Sequence, residues 1–336
     1  MAKRTDSVAM VMEHTVRRRF LKRYFWYIAV IVVGCVGVFF GTILSPNKDD
    51  QAQKGREKYP YLATRLFGPL QDDMIINFTQ LREVMNQRYL DRELPLGVYF
   101  EYLPTGASIG VNDQLQVEIG SLSKVPAAMA IYKQIELGTL SLNDSLTVGK
   151  KNLDDRFGDL WKRGEGTKLS VEEAISFTLR KSDNTAASTL TSALPEGELQ
   201  AVFDDLDLPR TRTGPFPVMS PKSYSSVFRN LFLSAYLSPD SSNVILDHLT
   251  NTDYTDKLPS GVPKSVPVAH KIGVFRVAET QDIYSDCGIV YVPSRPYVLC
   301  VMVAASEEVA REEISSYSKM VYSFVSQIKA SRKSSQ

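Results

Sequence analysis

The stretch GSLSKVPAAM, residues 120–129, decides the fold: it begins a helix with a serine placed three residues ahead of a lysine. Residues three apart share one face of a helix, so Lys124 can reach the hydroxyl of Ser121. The first helical turn also offers free backbone N–H groups and the positive end of the helix dipole. These features suit a serine nucleophile. They also suit an ordinary polar helix start, because serine is a common N-cap residue.

Two further short motifs follow in the chain. Ser182-Asp183-Asn184 lies between helical segments, where it is also a plausible cap and turn. Lys271-Ile272-Gly273 lies on a predicted strand, and its glycine would let a ligand approach the strand backbone closely. Each motif is weak alone. In this order, with a helical insert between strands, the three motifs are typical of penicillin-recognising serine enzymes.

The order of the predicted elements supports one fold class. A helix and two strands come first, a long helical region follows, and three strands and a closing helix end the chain. Strands from both ends of the domain can pair into one sheet. We therefore predict an α+β fold, with an antiparallel five-stranded sheet flanked by helices and an all-helical lobe across a cleft.

Residues of about 72–330 resemble the class A β-lactamase domain, which shares its fold with penicillin-binding DD-peptidases. The resemblance implies that Ser121 is the acylated nucleophile and that Lys124 takes its proton. Ser182 would pass a proton to the leaving nitrogen. Lys271 would anchor the substrate carboxylate and help to lower the pKa of Lys124.

The resemblance also implies a set of substrate-binding residues. Asn184 would hold the substrate amide, and the N–H of Val274, after Gly273, would complete an oxyanion hole with that of the nucleophile. Ile272 stands where the family has Thr or Ser, so a hydroxyl for the substrate carboxylate is missing. Arg276 could replace it as a bidentate partner. Equally, Ile272 could indicate another substrate or a site that has lost activity.

A second departure concerns the release of the acyl group. Class A β-lactamases carry a Glu-x-x-Leu-Asn loop motif whose Glu activates water, and residues 205–224 lack it. Asp205 and Asp207 are the nearest carboxylates, and we expect them at a solvated helix end. Without a general base, deacylation should be slower by on the order of 10²–10⁴. His270 is expected to be structural, and Trp161 is either a cleft-rim aromatic or a locally packed loop residue.

The N-terminal part of the chain predicts a membrane anchor. Residues 24–44 are uncharged and long enough to span a bilayer. The basic residues precede them, so the positive-inside rule puts residues 1–23 in the cytoplasm and the domain outside the cell membrane. A buried core helix or a lipoprotein signal cleaved at Cys35 are the alternatives. Residues 45–71 read as a linker, and residues 72–332 as the catalytic domain.

Composition limits the remaining possibilities. The 336 residues carry a net charge of +1, which gives no argument for nucleic acid. Cys287 and Cys300 flank a turn between two β-rich runs, and in a hairpin they could face each other. An exported domain would permit a disulfide there, although we slightly favour two buried thiols. Neither metal-ligand spacing nor a cofactor motif is present. We expect a monomer.

These observations favour a membrane-anchored extracytoplasmic serine hydrolase that is acylated by β-lactams or by the D-Ala-D-Ala-like end of a peptidoglycan stem peptide. A slowly deacylating DD-peptidase or penicillin-binding protein is the first alternative. A non-catalytic protein that binds cell-wall peptide through the same cleft is the second, and a purely structural membrane protein is the third.

Overall fold

The computed structural model describes residues 48–63, 77–209, 211, 212, 214, 216–276 and 281–328. By its internal contacts the chain divides after Gly55, and the unit beginning at Arg56 is described below. The predicted tail and membrane helix, residues 1–44, lie outside the described residues. Within the described ranges, no helix is long and apolar enough to cross a membrane. The anchor stays a prediction.

The described helices and strands follow the predicted order. The helices are α1 Lys48–Lys58, α2 Thr79–Arg92, α3 Lys124–Glu136, α4 Val171–Arg180, α5 Asn184–Thr191, α6 Glu198–Asp205, α7 Pro221–Leu233, α8 Pro239–Thr250 and α9 Glu307–Gln327. The strands are β1 Leu96–Tyr102, β2 Ala107–Val111, β3 Val117–Glu118, β4 Ser145–Thr147, β5 Lys168–Ser170, β6 Val218–Met219, β7 Val268–Phe275, β8 Ile283–Val290 and β9 Tyr297–Ala304.

Five strands form one antiparallel sheet in the order β2-β1-β9-β8-β7. The pairing of β1 with β9 joins the two ends of the domain. One apolar core lies between this sheet and α2 and α9, and a second lies between the sheet and the helical lobe. Because both faces are covered, β1 is buried along its whole length. The predicted α+β fold is confirmed for the described residues.

Local sequence explains where the lobe's helices begin. Ser220 and Ser238 each accept a hydrogen bond from the backbone N–H three residues on, and each is followed by proline. Serine at the N-cap and proline at the first helical position are both strongly preferred. Ser170 forms a capping box with Glu173 at the start of α4. These caps set where α4, α7 and α8 begin.

Residues 59–63, within the predicted linker, pack against the globular unit. The N–H of Ala63 donates to the carbonyl of Phe232 at 2.8 Å. Tyr61 packs on Tyr291, with ring centroids 5.4 Å apart, and Leu62 is 3% exposed. The predicted domain start at residue 72 falls in residues 64–76, outside the described residues.

Cys287 on β8 and Cys300 on β9 lie directly opposite each other, with their Cα atoms 4.0 Å apart, and are joined by a disulfide. The slight preference for two separate thiols was wrong. Sequence spacing cannot reveal this pairing, because buried thiols and buried half-cystines have the same apolar surroundings. The register of the two strands decides it.

Candidate active site

Two glycines allow the sheet edge to lie against the turn that carries Ser121. That turn is a 3-10 helix, Gly120–Ser123, which leads directly into α3. A Cβ on Gly120, whose φ is +49°, would lie 2.5 Å from the carbonyl oxygen of Val274. A Cβ on Gly273 would lie 2.7 Å from the carbonyl oxygen of Ile119. The backbone of β7 therefore runs beside the nucleophile turn, as an oxyanion hole shared with Val274 requires.

Lys124 lies at the centre of the site, with only 6% of its surface exposed. Its Nζ donates to the Oγ of Ser121 at 3.0 Å. It also donates to the carbonyl oxygen of Ser182 at 2.5 Å and to the Oδ1 of Asn184 at 2.6 Å. Lys124 is thus within proton-transfer distance of the serine hydroxyl.

The pKa of Lys124 is lowered from its ordinary value to about 7. Burial is the main cause, because removing an ammonium from water disfavours its charged form. The carboxylates of Asp183 and Asp154 act in the opposite direction, and the guanidinium of Arg156 adds to the lowering. Burial, rather than the charge of Lys271 expected from the sequence, dominates. A substantial neutral fraction of Lys124 is therefore available near neutral pH.

Lys271, which is 2% exposed, approaches the same cluster from β7. Its Nζ donates to the Oγ of Ser182 at 2.7 Å and to the carbonyl of Ile272 at 3.2 Å. The Nζ of Lys124 lies 3.2 Å from the same hydroxyl. Burial and the charge of Lys124 hold the pKa of Lys271 well below its ordinary value, against the raising effect of Asp286. The hydroxyl of Ser182 thus connects the two lysines.

Asp183 organises this part of the site, a role that its motif did not reveal. Its carboxylate accepts hydrogen bonds from the N–H groups of Asp159, Leu160 and Ala186, each at 2.8 Å. Gly158 has a φ of +89°, and a Cβ there would lie 2.2 Å from the Oδ2 of Asp183. The carboxylate therefore fixes the loop before Leu160 against the start of α5.

That loop supplies residues that sequence reasoning missed. The Nδ2 of Asn184 donates to the Oδ1 of Asp154 at 3.1 Å. Asp154 is ion-paired with Arg156, whose hydrogen bond is the main reason that its pKa is lowered to about 2. The ring of Phe157 lies 6.0 Å from the Nζ of Lys124. Phe157, and not Trp161, lines the cavity beside β7. No motif marked these three positions.

The cavity has a volume of about 270 Å³ and follows the outer side of β7. Ile272 and Val274 form part of its wall, and Arg276 lies at its edge with 81% of its side chain exposed. Arg276 forms a long ion pair with the carboxylate of Asp282, at 3.9 Å. The structure therefore brings Ile272, Val274 and Arg276 to one cavity, whose lining includes Phe157 but none of the four residues Ser121, Lys124, Ser182 and Lys271.

The segment where the family's loop glutamate would lie is short. It links α6 to β6, which pairs with β3 just ahead of the nucleophile turn. Residues 208–217 contain neither Asp nor Glu. Asp205 and Asp207 are exposed, as expected for a solvated helix end. Glu118 is 7% exposed and packs against Gly214 of this segment. In the ranges described, no cluster of His, Cys, Asp and Glu could hold a metal.

Comparisons with known proteins agree with this geometry. A model described as the Beta-lactamase enzyme family matches residues 79–325. Beta-lactamase VEB-1 of Pseudomonas aeruginosa is 22% identical over 233 residues, covering 60% of this chain and 74% of that protein. The structure of PBP-A superposes with a TM-score of 0.69 and 25% identity, over 74% of this chain and 97% of that one.

A beta-lactamase from Chitinophaga pinensis has the same fold, with a TM-score of 0.67 and 21% identity over 73% of this chain and 99% of that one. The family match spans the nucleophile turn, the helical lobe and β7. As the resemblance implied, the chain belongs to the beta-lactamase enzyme family and is a serine hydrolase of the class A β-lactamase-like kind.

Proposed function

We propose that the protein is a membrane-anchored, extracytoplasmic serine hydrolase that is acylated at Ser121 by β-lactams or by D-Ala-D-Ala-like peptide ends. One observation carries the proposal. The Nζ of Lys124, with a pKa lowered to about 7, lies 3.0 Å from the Oγ of Ser121. A neutral lysine at that distance is a general base for a serine nucleophile.

This geometry supports the following reaction. Neutral Lys124 accepts the proton of Ser121 as its Oγ attacks the amide carbonyl carbon. The N–H groups of Ser121 and Val274 stabilise the oxyanion. As the C–N bond breaks, the hydroxyl of Ser182 passes its proton to the leaving nitrogen and receives one from Lys124, whose Nζ is 3.2 Å away. Lys271 attracts the substrate carboxylate, and Asn184 holds the substrate amide.

Turnover is expected to be slow. Residues 208–217 offer no carboxylate to activate water, so the second half of the reaction lacks the base that the first half has in Lys124. A general base contributes roughly 10²–10⁴ to a rate. This supports a penicillin-binding or DD-peptidase role, in which the acyl-enzyme accumulates, over rapid β-lactam hydrolysis.

The test is intact mass against time for the purified full chain mixed with a penicillin, with Ser121→Ala as the matched control. We expect a long-lived adduct of the mass of the intact penicillin, mapped to Ser121 and absent from Ser121→Ala. An adduct in Ser121→Ala would contradict the assignment of the nucleophile. Rapid hydrolysis without a lasting adduct would show a base elsewhere and make the protein a true β-lactamase.

The anchor is proposed from residues 24–44 and the basic residues before them. Fractionation of cells that express the full chain, with protease added from outside, tests it. We expect the domain to be membrane-bound and cleaved from outside. A soluble full-length chain would contradict the anchor without affecting the proposed chemistry.

A further inference from the structure

A buried tyrosine of α7 reaches the turn that carries Ser121. Tyr224 is not exposed at all, and its hydroxyl donates to the carbonyl oxygen of Leu122 at 2.8 Å. Burial raises the pKa of Tyr224 well above its ordinary value, and the charge of Asp286 adds to this effect. The hydroxyl therefore keeps its proton at neutral pH and remains a donor. The reaction described above uses neither Tyr224 nor this hydrogen bond.

The local sequence explains why this carbonyl needs a donor from another helix. The nucleophile turn runs directly into α3, and in a continuous α-helix the carbonyl of Leu122 would accept the N–H of residue 126. Residue 126 is Pro126, which has no N–H. The nearer N–H of Lys124 is shared between the carbonyls of Ser121 and Leu122. The hydroxyl of Tyr224 thus takes the place of the missing donor, and a buried carbonyl is costly to leave without one.

Leu122 is held on three sides. Its N–H donates to the carbonyl of Ile119 at 3.0 Å. Its side chain packs over Gly273 of β7, where a Cβ would lie 2.9 Å from the Cγ of Leu122. Its carbonyl accepts the hydroxyl of Tyr224. Because Leu122 directly follows Ser121, these contacts fix the N–H of the nucleophile relative to β7, which supplies the second N–H of the proposed oxyanion hole.

We propose that Tyr224 is a positioning residue for acylation. Its hydroxyl holds the carbonyl of Leu122, and with it the nucleophile turn, at the separation from β7 that the oxyanion hole requires. Tyr224 touches neither the substrate nor the reacting atoms. The inference rests on the proposed function, because the position of this turn affects a rate only where the N–H of Ser121 stabilises an oxyanion.

The test is the rate at which the full chain is acylated by a penicillin, followed by intact mass over a range of penicillin concentrations. Tyr224→Phe removes the hydroxyl and keeps the ring. We expect its maximal acylation rate to fall about tenfold, because a displaced oxyanion hole stabilises the transition state less. The half-saturating concentration of penicillin should not change, because the substitution removes no group that binds the substrate before it reacts.

Pro126→Ala supplies a rescue. Alanine restores an N–H at position 126, which can donate to the carbonyl of Leu122 in place of the tyrosine hydroxyl. The double variant Tyr224→Phe/Pro126→Ala should therefore recover the maximal rate to within about threefold of the wild type, and Pro126→Ala alone should match the wild type. If Tyr224→Phe is acylated as fast as the wild type, or if the double variant is as slow as Tyr224→Phe, the inference is overturned.

Tyr317→Phe is the matched control. Tyr317 is equally buried, on the opposite face of the sheet, and its hydroxyl donates to the carbonyl of Met85 at 3.3 Å. Tyr317→Phe should lose stability, as Tyr224→Phe does, without a change in the maximal rate. An equal loss of rate in Tyr317→Phe would assign the effect to a looser core and overturn the inference. A wild type that forms no adduct would instead overturn the proposed function.

Discussion

Lys124→Met tests whether the lysine is held in a site that opposes its charge. Its pKa is 10.5 in the unfolded chain and about 7 in the folded one, a difference of about 3.5. At about 1.4 kcal/mol per pKa unit, the buried ammonium therefore lowers the free energy of unfolding by about 5 kcal/mol below pH 7. Because the folded pKa is depressed, stability is lowest below pH 7 and recovers as pH rises towards 10.5.

Methionine keeps much of the volume and removes the charge. It also leaves the carbonyl of Ser182 and the Oδ1 of Asn184 without their donor, at a cost of about 1–3 kcal/mol each. The absolute difference in stability is therefore small, and its slope with pH is the decisive quantity. The stability of the wild type minus that of Lys124→Met should rise by about 1.4 kcal/mol per pH unit between pH 7 and 10.

Urea unfolding at pH 6, 7, 8, 9 and 10 measures this slope. Losing the charge of Lys124 also raises the pKa of Lys271, which flattens the pH dependence of the variant and does not mask the effect. Lys133→Met, at a half-buried lysine on the same helix, controls for the loss of a lysine side chain. A flat difference for Lys124→Met would refute the argument that burial lowers its pKa.

Three further substitutions have defined outcomes. Gly273→Ala places a Cβ 2.7 Å from the carbonyl oxygen of Ile119. The rate of adduct formation, measured by mass spectrometry, should therefore fall about tenfold or more. An unchanged rate would mean that β7 has room to move. Asp183→Ala leaves three backbone N–H groups without an acceptor. The free energy of unfolding, measured in urea, should therefore fall by about 3–5 kcal/mol. A loss under about 1 kcal/mol would show that water replaces the carboxylate. Ile272→Thr introduces a hydroxyl beside the cavity. The rate of acylation by a penicillin should rise about tenfold, whereas the rate of acylation by the methyl ester of that penicillin should not change. Equal effects on both rates would exclude a contact between the hydroxyl and the substrate carboxylate.

The sequence predicted the fold well because its signals are local or ordered. Alternating strand and helix patterns, and the position of the helical insert, indicated that strands from both ends of the domain can share one sheet, and β1 pairs with β9 in the structure. The motif positions also came together: Ser121, Lys124, Ser182 and Lys271 are linked by hydrogen bonds no longer than 3.2 Å. Their catalytic roles stay proposals.

The loop beside α5 could not be predicted for a physical reason. Phe157 has no periodic or motif signal, and it reaches Lys124 only because Asp183 binds N–H groups of residues 159 and 160. Such contacts join residues more than twenty positions apart through one side chain. Tyr224 was missed in the same way, since a tyrosine among the buried positions of a helix gives no sign of its hydrogen-bond partner.

The two halves of the proposed reaction are supported unequally by this site. For acylation, burial lowers the pKa of a lysine to the range of a general base and leaves it within 3.0 Å of the serine hydroxyl. This requires no carboxylate partner, because desolvation alone is the main cause.

For deacylation, a water molecule needs a base that can accept its proton while the ester is present. The short segment before β6 has no carboxylate between residues 208 and 217 that could take this role. An acyl-enzyme should therefore form faster than it breaks down, and raising the pH from 6 to 8, which deprotonates Lys124, should speed formation more than release. Equal acceleration of both steps would indicate that Lys124 also serves as the base for water.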